Sequence, residues 1–204
     1  MESVVAGFKR ARGKGPMPGR PLWVVAAQSA IHGRGAYAAA LIPDGTRVIE
    51  YTGERITKAE ARRRESQRLE RQRRGGDDSV YIFVLNRRHD LDGRTGRNVA
   101  RLINHSCTPN CRVEVVRGRI WLVARREIPA GAELTFDYGF SFAEWAWHPC
   151  RCGGRRCPGF IVGSGQRWRL RKIPASQRAK LARVRRAQAN GPKGASRAQR
   201  EVRP

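Results

Sequence analysis

Residues 101–111 read Arg101-Leu102-Ile103-Asn104-His105-Ser106-Cys107-Thr108-Pro109-Asn110-Cys111, and the reading of the whole chain turns on them. Alone, His105 would be an ordinary core histidine with its hydrogen bonds satisfied. Its neighbours change that, and so do four other segments. Gly33-Arg34-Gly35 and Glu50-Tyr51-Thr52-Gly53-Glu54 precede the string. Glu133-Leu134-Thr135-Phe136-Asp137-Tyr138-Gly139 follows it, and Cys150-Arg151-Cys152-Gly153-Gly154-Arg155-Arg156-Cys157 comes last. This last segment offers three thiolates, one short of a tetrahedral zinc site. With no sign of secretion, the five cysteines read as thiols or metal ligands and not as a disulfide frame.

Around these motifs the signals are those of short strands. Leu22–Ala27 is an apolar run of β-formers, Thr46–Thr52 is β-branched, and Val80–Leu85 resumes the pattern. Arg112–Val116 and Arg119–Ala124 make a hairpin through Arg117-Gly118, and Glu133–Tyr138 is a further strand. Gly33-Arg34-Gly35 and Pro43-Asp44-Gly45 mark turns. Thr57-Lys58-Ala59-Glu60 has capping-box spacing and opens an arginine-rich helix expected to stop at Gly75-Gly76. Glu60–Arg64 and Glu70–Arg74 support it, and Leu69 as its only large apolar residue makes it a solvated insert. A second helix, alanine-rich and basic, is expected over Ala175–Ala189, with Leu181 and Val184 as its whole apolar face. Ile42-Pro43-Asp44-Gly45 and Ile128-Pro129-Ala130-Gly131 echo each other, which type I turn chemistry explains without duplication. The fold class is mainly β with a short inserted helix, unlike the strand–helix alternation of a doubly wound sheet.

The 204 residues carry 42 lysines and arginines against 17 acids, a formal net charge of +25. The excess lies at the periphery. Residues 1–20 hold five basic and one acidic residue, 57–74 eight and three, and 167–204 thirteen and one. Such segments attract polyanions, nucleic acid above all. DNA or RNA contact through the 167–204 tail and the 57–74 helix is therefore expected, with added solubility as the bland alternative. No apolar run is long enough for a membrane-spanning helix, and the N-terminus lacks a signal-peptide core, so an intracellular protein without membrane contact is expected.

The motifs, in this order, closely resemble those of the SET-domain protein lysine methyltransferases, the cysteine segment matching that family's post-SET element. The resemblance covers about residues 22–163. It implies a β-clip architecture with a knot-like C-terminal threading. The expected divisions are a basic flexible N-terminal tail (1–20), the SET domain (21–145, with an insert at about 55–97), a post-SET zinc segment (146–163) and a basic C-terminal tail (164–204). S-adenosyl-L-methionine would be the methyl donor, bound by Gly33, Arg34, Gly35, Asn104, His105 and Tyr138, with the target lysine entering a narrow channel from the other face. Glycines at 33 and 35 would let backbone approach the cofactor closely. Tyr138 would be the catalytic tyrosine, its hydroxyl beside the transferring methyl. Tyr51 and Tyr81 would line the lysine channel, the alternative being ordinary strand aromatics. Phe136 matches the product-state switch and points to di- or trimethylation. Cys107 would join Cys150, Cys152 and Cys157 around a structural Zn²⁺, leaving Cys111 as a buried structural thiol. Leu102 and Pro158 depart from the family's usual Phe and Arg. Trp145 and Trp147 read equally as cofactor packing or as filling at the join.

The implied activity is methyl transfer to lysine in a basic, nucleic-acid-associated protein, a histone or histone-like protein. A monomer is expected, nuclear or chromosomal in a eukaryote, and cytoplasmic, at the nucleoid or delivered to a host in a bacterium. Two alternatives stay open: a catalytically inactive nucleic-acid or chromatin adaptor on the same scaffold, and a methyltransferase for a ribosomal or metabolic protein. A lysine amine, with a free pKa of about 10.4, must lose its proton before it attacks. A neighbouring sulfonium and a dry channel both favour the neutral amine. No acid in the motifs is an obvious general base.

Overall fold

Residues 23–74, 81–94 and 98–190 are described by the structure, a computed structural model. The expected N-terminal tail, the helix stop at Gly75-Gly76 and the end of the C-terminal tail from 191 lie outside the described residues. The strands are Val24–Gln28 (β1), Arg34–Ala38 (β2), Arg47–Tyr51 (β3), Glu54–Thr57 (β4), Ile82–Val84 (β5), His89–Asp92 (β6), Asn104–His105 (β7), Cys111–Val116 (β8), Arg119–Ala124 (β9) and Thr135–Phe136 (β10). Two α-helices accompany them, Lys58–Arg73 (α1) and Ala175–Asn190 (α2), together with short 3₁₀ helices at Val99–Leu102, Phe142–Trp147 and Ser164–Lys172.

β1 and β2 form an antiparallel pair, so most of the expected Gly33-Arg34-Gly35 turn is strand, and only Gly33, at φ 49°, turns the chain. One three-stranded sheet has the order β3-β9-β8 and another β4-β6-β5. The β8–β9 hairpin turns through Arg117 and Gly118 at φ 50° and 73°. Two successive left-handed residues match the right-handed twist of the flanking strands. The last strand, β10, lies parallel to β7, Thr135 opposite Asn104 and Phe136 opposite His105. Ile42, Val48, Tyr51, Ile103, Ile120, Leu122, Ile128, Leu134 and Phe136 fill the core between these layers.

The two echoing turns face each other. Ile42 and Ile128 exchange both backbone hydrogen bonds at 2.9 Å. Gly45 N donates to Ala124 O (3.1 Å) as Gly131 N donates to Ala38 O (2.8 Å), and Ala124 N to Thr46 O as Ala38 N to Ala132 O (both 2.9 Å). One sequence offset relates every partner: 42 to 128, 38 to 124, 45 to 131 and 46 to 132. Turn chemistry explains each turn by itself; the local two-fold pairing is a further feature of the fold.

Helix α1 starts as its capping signal predicts, Glu60 N donating to Thr57 Oγ1 at 3.2 Å. The other half of the box is not made, because the Glu60 carboxylate is bound by Arg63 and Arg64 at 2.7 Å. Nor is the helix wholly solvated. Ala61 and Arg68 are buried, Arg64 Nη1 reaches Glu54 and Asp92 at 2.7 Å, and Lys58 pairs with Asp90. Charge pairing therefore fixes α1 to β4 and β6 where apolar burial could not.

The chain from 164 onward does not begin as a tail. Leu170 is fully buried with Phe160 and Val162 in a second small core, against which Phe142, Trp145, Ile173 and Leu181 pack. Apolar side chains spaced through a run of arginines gave no periodic signal, yet they suffice to dock the 3₁₀ helix and α2. Trp145 packs edge-on against Phe160 with ring centroids 4.7 Å apart, so it fills the join. Among the described residues no helix is long and apolar enough to cross a membrane.

The left-handed turn gives a test of this description. Gly118→Ala is expected to lower stability in urea unfolding by about 1 kcal/mol, the cost of a Cβ in that region. Gly165→Ala, whose Cβ meets nothing within 4 Å, should be near neutral.

Candidate active site

Both residues of β7 send their side chains inward. Asn104 Nδ2 lies 2.8 Å from Glu133 Oε1, 3.0 Å from Ser29 Oγ and 3.2 Å from the carbonyls of His32 and Arg34. Four surrounding oxygens settle which end of the amide is NH₂. Among the described residues none hydrogen-bonds to Oδ1. The same contacts fasten the 29–34 loop to the Asn-His-Ser-Cys segment. Gly35 serves this junction too: a Cβ there would collide with Glu133 Oε1 and Ser29 Cβ, so the close approach it permits is that of the Glu133 carboxylate. Gly33 differs, with open space where its Cβ would stand.

His105 Nδ1 accepts a hydrogen bond from the Tyr138 backbone N–H at 3.2 Å, with Asp137 Oδ1 farther off at 3.8 Å. An accepting Nδ1 leaves the proton on Nε2, which is 3.5 Å from Cys107 Sγ. Burial agrees with a neutral ring, pushing its pKa down to about 4. Ser106 N donates to Phe136 O at 3.2 Å. Asn110 holds β10 from the other side, donating to Glu133 O and accepting from Thr135 N, both at 2.8 Å. The motif reading gave Asn110 no task; its signal was its place in the string.

Beside this junction runs a row of rings. Centroids are 4.3 Å apart for Tyr51–Phe83, 5.4 Å for Phe83–Phe136, 4.8 Å for Phe136–Tyr138 and 5.5 Å for Tyr138–Phe140. Tyr138 donates its hydroxyl to Ile103 O at 3.2 Å, and Tyr51 donates to Tyr81 O at 2.8 Å. The Tyr81 ring faces Arg94 and Arg101, whose guanidinium carbons lie 5.7 and 5.8 Å from its centroid. Tyr51, Tyr81, Phe136 and Tyr138 are thus gathered in one place. Phe83, which bridges Tyr51 and Phe136, went unnoticed in the sequence because it reads as one more apolar residue of a strand. Burial, then nearby Asp92, raises the pKa of Tyr51, and burial, then nearby Tyr81, raises that of Tyr138. Both hydroxyls therefore stay protonated through the physiological range.

The acids near this row are engaged. The Asp137 carboxylate accepts from Gly139 N (3.1 Å), Ser164 N (2.9 Å) and Arg167 Nη2 (2.8 Å). Glu133 accepts from Ser29 Oγ, Asn104 Nδ2 and Tyr37 Oη. Arg167 was not singled out in the sequence, where it is one arginine in a basic run. It also donates to Cys107 O at 2.6 Å and Val162 O at 2.8 Å, joining the tyrosine loop, the cysteine cluster and the second core.

Four cysteines converge as expected. The Sγ atoms of Cys107, Cys150, Cys152 and Cys157 all lie within 4.8 Å of one another. Cys107 Sγ is 3.8 Å from Cys150 Sγ and 3.7 Å from Cys157 Sγ. A tetrahedral zinc with bonds of about 2.3 Å sets its sulfurs about 3.8 Å apart, so the cluster could hold that ion. Thiol donation from Cys107 and Cys150 lowers the pKa of Cys157, while the same contacts raise that of Cys107. Without a cation, further ionisation of so crowded a group is costly. Cys111 stands apart, fully buried, its pKa raised to about 11 by burial.

Residues 33–139, more than half of the chain, match the family model of the SET domain, and the chain belongs to that family. It is similar to Histone-lysine N-methyltransferase 2D of Homo sapiens, 42% identical over 139 residues. It is also similar to proteins named Histone-lysine N-methyltransferase, H3 lysine-4 specific, from Mycosarcoma maydis (43% over 141 residues) and Saccharomyces cerevisiae (38% over 144). These matches take in 66%, 66% and 68% of this chain but only 2%, 9% and 13% of the relatives, so the chain spans a small part of their length.

Elemental analysis of protein purified without chelator is expected to find one zinc per chain. Cys157→Ser should lower that figure and expose the second core to hydrogen exchange, whereas Cys111→Ser should leave the stoichiometry intact. Equal zinc in both variants would disprove the assignment of ligands.

Proposed function

We propose that this chain is a lysine methyltransferase that uses S-adenosyl-L-methionine and acts on a histone or a similarly basic chromatin protein, to the di- or trimethyl level. The observation that carries the reading is the ring row Tyr51–Phe83–Phe136–Tyr138, in which Tyr138 abuts the Asn104-His105 segment. The names of the similar human and fungal proteins support a histone substrate.

The cofactor supplies an electrophilic methyl group on a sulfonium. Its candidate holders fit: the Oδ1 of Asn104 is an acceptor suited to an ammonium, and Gly33 leaves one side of its turn bare. The His105 side chain is taken up internally, so any contact from that residue runs through its backbone. Methyl transfer is an in-line displacement, in which alignment and charge placement are the main demands on the protein. The Tyr138 hydroxyl, tethered to the Ile103 carbonyl, is held in one orientation. Tyr51, Phe83 and Phe136 would form an apolar wall that disfavours the ammonium of an entering lysine. Glu133 and Asp137 are both engaged by other donors, which supports loss of the lysine proton on entry and not to a carboxylate base. Phe136 carries no hydroxyl to hold a water where a methylated amine would sit, which favours the higher product states. A structural zinc in the cysteine cluster would fasten the C-terminal lobe against this site.

The test is transfer of labelled methyl groups from S-adenosyl-L-methionine to core histones, read by mass spectrometry. Tyr138→Phe is expected to reduce kcat by about 10² to 10³ while leaving cofactor binding intact. Phe136→Tyr should shift the product toward monomethyl-lysine. Because the pKa of Tyr138 is raised, kcat/KM should climb about tenfold per pH unit below the pKa of the lysine and show no fall near pH 10. Cofactor binding without transfer to any histone or lysate protein would point to a narrower substrate, whereas loss of both transfer and cofactor binding would favour the inactive adaptor.

A further inference from the structure

Outside the ring row and the cysteine cluster, the C-terminal lobe carries a pocket of about 310 Å³ lined by Phe142, Trp168, Arg169, Lys172 and Ile173. Trp168 is 53% exposed, although the segment that bears it is anchored on both sides. Arg167 before it donates to Cys107 O, Val162 O and Asp137, and Leu170 after it is fully buried. The indole is therefore displayed by a fixed backbone and not by a loose end. Two cations border the rings: the Arg169 guanidinium lies 4.3 Å from the Phe142 centroid, and Lys172 Nζ 5.0 Å from that of Trp168.

Those cations decide the class of ligand. A lysine or methyl-lysine side chain would meet like charge at the rim, so the pocket is no extra subsite for a basic substrate. An anion joined to a flat ring satisfies both components, the ring on indole or phenyl and the negative charge beside Arg169 and Lys172. The surroundings extend the same preference. Residues 164–190 contain nine arginines and lysines and no acid. Arg167 and Arg178 donate to backbone carbonyls of the fold, whereas Arg169, Arg171, Lys172, Lys180 and Arg183 are exposed, and no described carboxylate pairs with them. A ring socket within a field of positive charge suits a chain of nucleotides with unstacked bases; a duplex keeps its bases stacked and unavailable.

We propose that the Phe142–Trp168 pocket binds a base of single-stranded nucleic acid, with Arg169 and Lys172 on the adjoining phosphates. The site gives the basic C-terminal segment a defined point of attachment. None of its residues belongs to the ring row.

Anisotropy of labelled 12-mer oligouridylate and of a 12-base-pair duplex, titrated with the full zinc-loaded chain, tests this without cofactor or turnover, so an inactive enzyme would not affect it. Trp168→Ala is expected to weaken the single strand about tenfold and the duplex little, with an unchanged salt slope. Trp168→Phe, which keeps a ring and the fold, should restore most of the affinity. Arg169→Gln with Lys172→Gln should instead flatten the salt dependence by about one unit of log K per log salt. Wild-type binding by Trp168→Ala, or competition by polyglutamate as effective as by unlabelled oligouridylate, would overturn the proposal. So would displacement of the oligomer by free S-adenosylhomocysteine or UMP at equal nucleotide concentration, which would assign the pocket to a small ligand.

Discussion

Four consecutive buried residues, Asn104 to Cys107, join parts of the molecule that lie far apart along the chain. Asn104 ties the 29–34 loop to Glu133, and His105 holds the Tyr138 backbone. The Ser106 amide pairs with Phe136, and Cys107 reaches into the cysteine cluster. A buried polar group without a partner costs free energy, about 1–3 kcal/mol in proteins. The Asn104 and His105 side chains are therefore satisfied only while their distant partners are in place. The β7–β10 pairing is two residues long and would not persist by itself. It persists because Asn110 and Asn104 grip the Glu133–Thr135 backbone and side chains from either side.

Legibility of the sequence follows from how local each determinant is. The β8–β9 hairpin and both α-helices were readable because their turn, cap and periodic signals lie within a few residues of the structure they specify. The cysteine cluster was readable only through the family resemblance, since spacing alone offered three ligands and said nothing of Cys107. The first two residues of β2, Arg34 and Gly35, carry a turn signal in the sequence because Gly33 and Gly35 look alike there. In the fold one turns the chain and the other clears room for a carboxylate 98 residues away in the chain, Glu133. Phe83 and Arg167 were illegible for the same reason. Their importance lies wholly in partners far off along the chain, and their residue types are common in the runs that contain them.

Net charge needs the same distinction. Counted along the chain, the segment from 167 looked like a polyanion-binding tail, and α1 like a solvated basic rod. Part of that charge is structural. Arg64 bridges Glu54, Glu60 and Asp92, Arg68 is buried beside Glu65, and Arg178 caps the carbonyls of Ile173 and Pro158. These arrangements need several donors in a planar fork, which lysine lacks. The excess of arginine over lysine, 36 against six, is thus partly a packing requirement, and only the outward residues bear on a partner.

The second core contains just three fully buried side chains, too few to order residues 148–173 unaided. A metal bound by four thiolates would contribute its binding free energy directly to folding of that lobe. Cys107 sits on the SET side of this junction, and Arg167 crosses it a second time by bonding both Cys107 O and Asp137. Ordering the lobe is therefore coupled to fixing the Tyr138 loop. A change that loosens the cysteine cluster acts on the ring row through His105 and Arg167, although neither the cluster nor the second core contributes a ring to it.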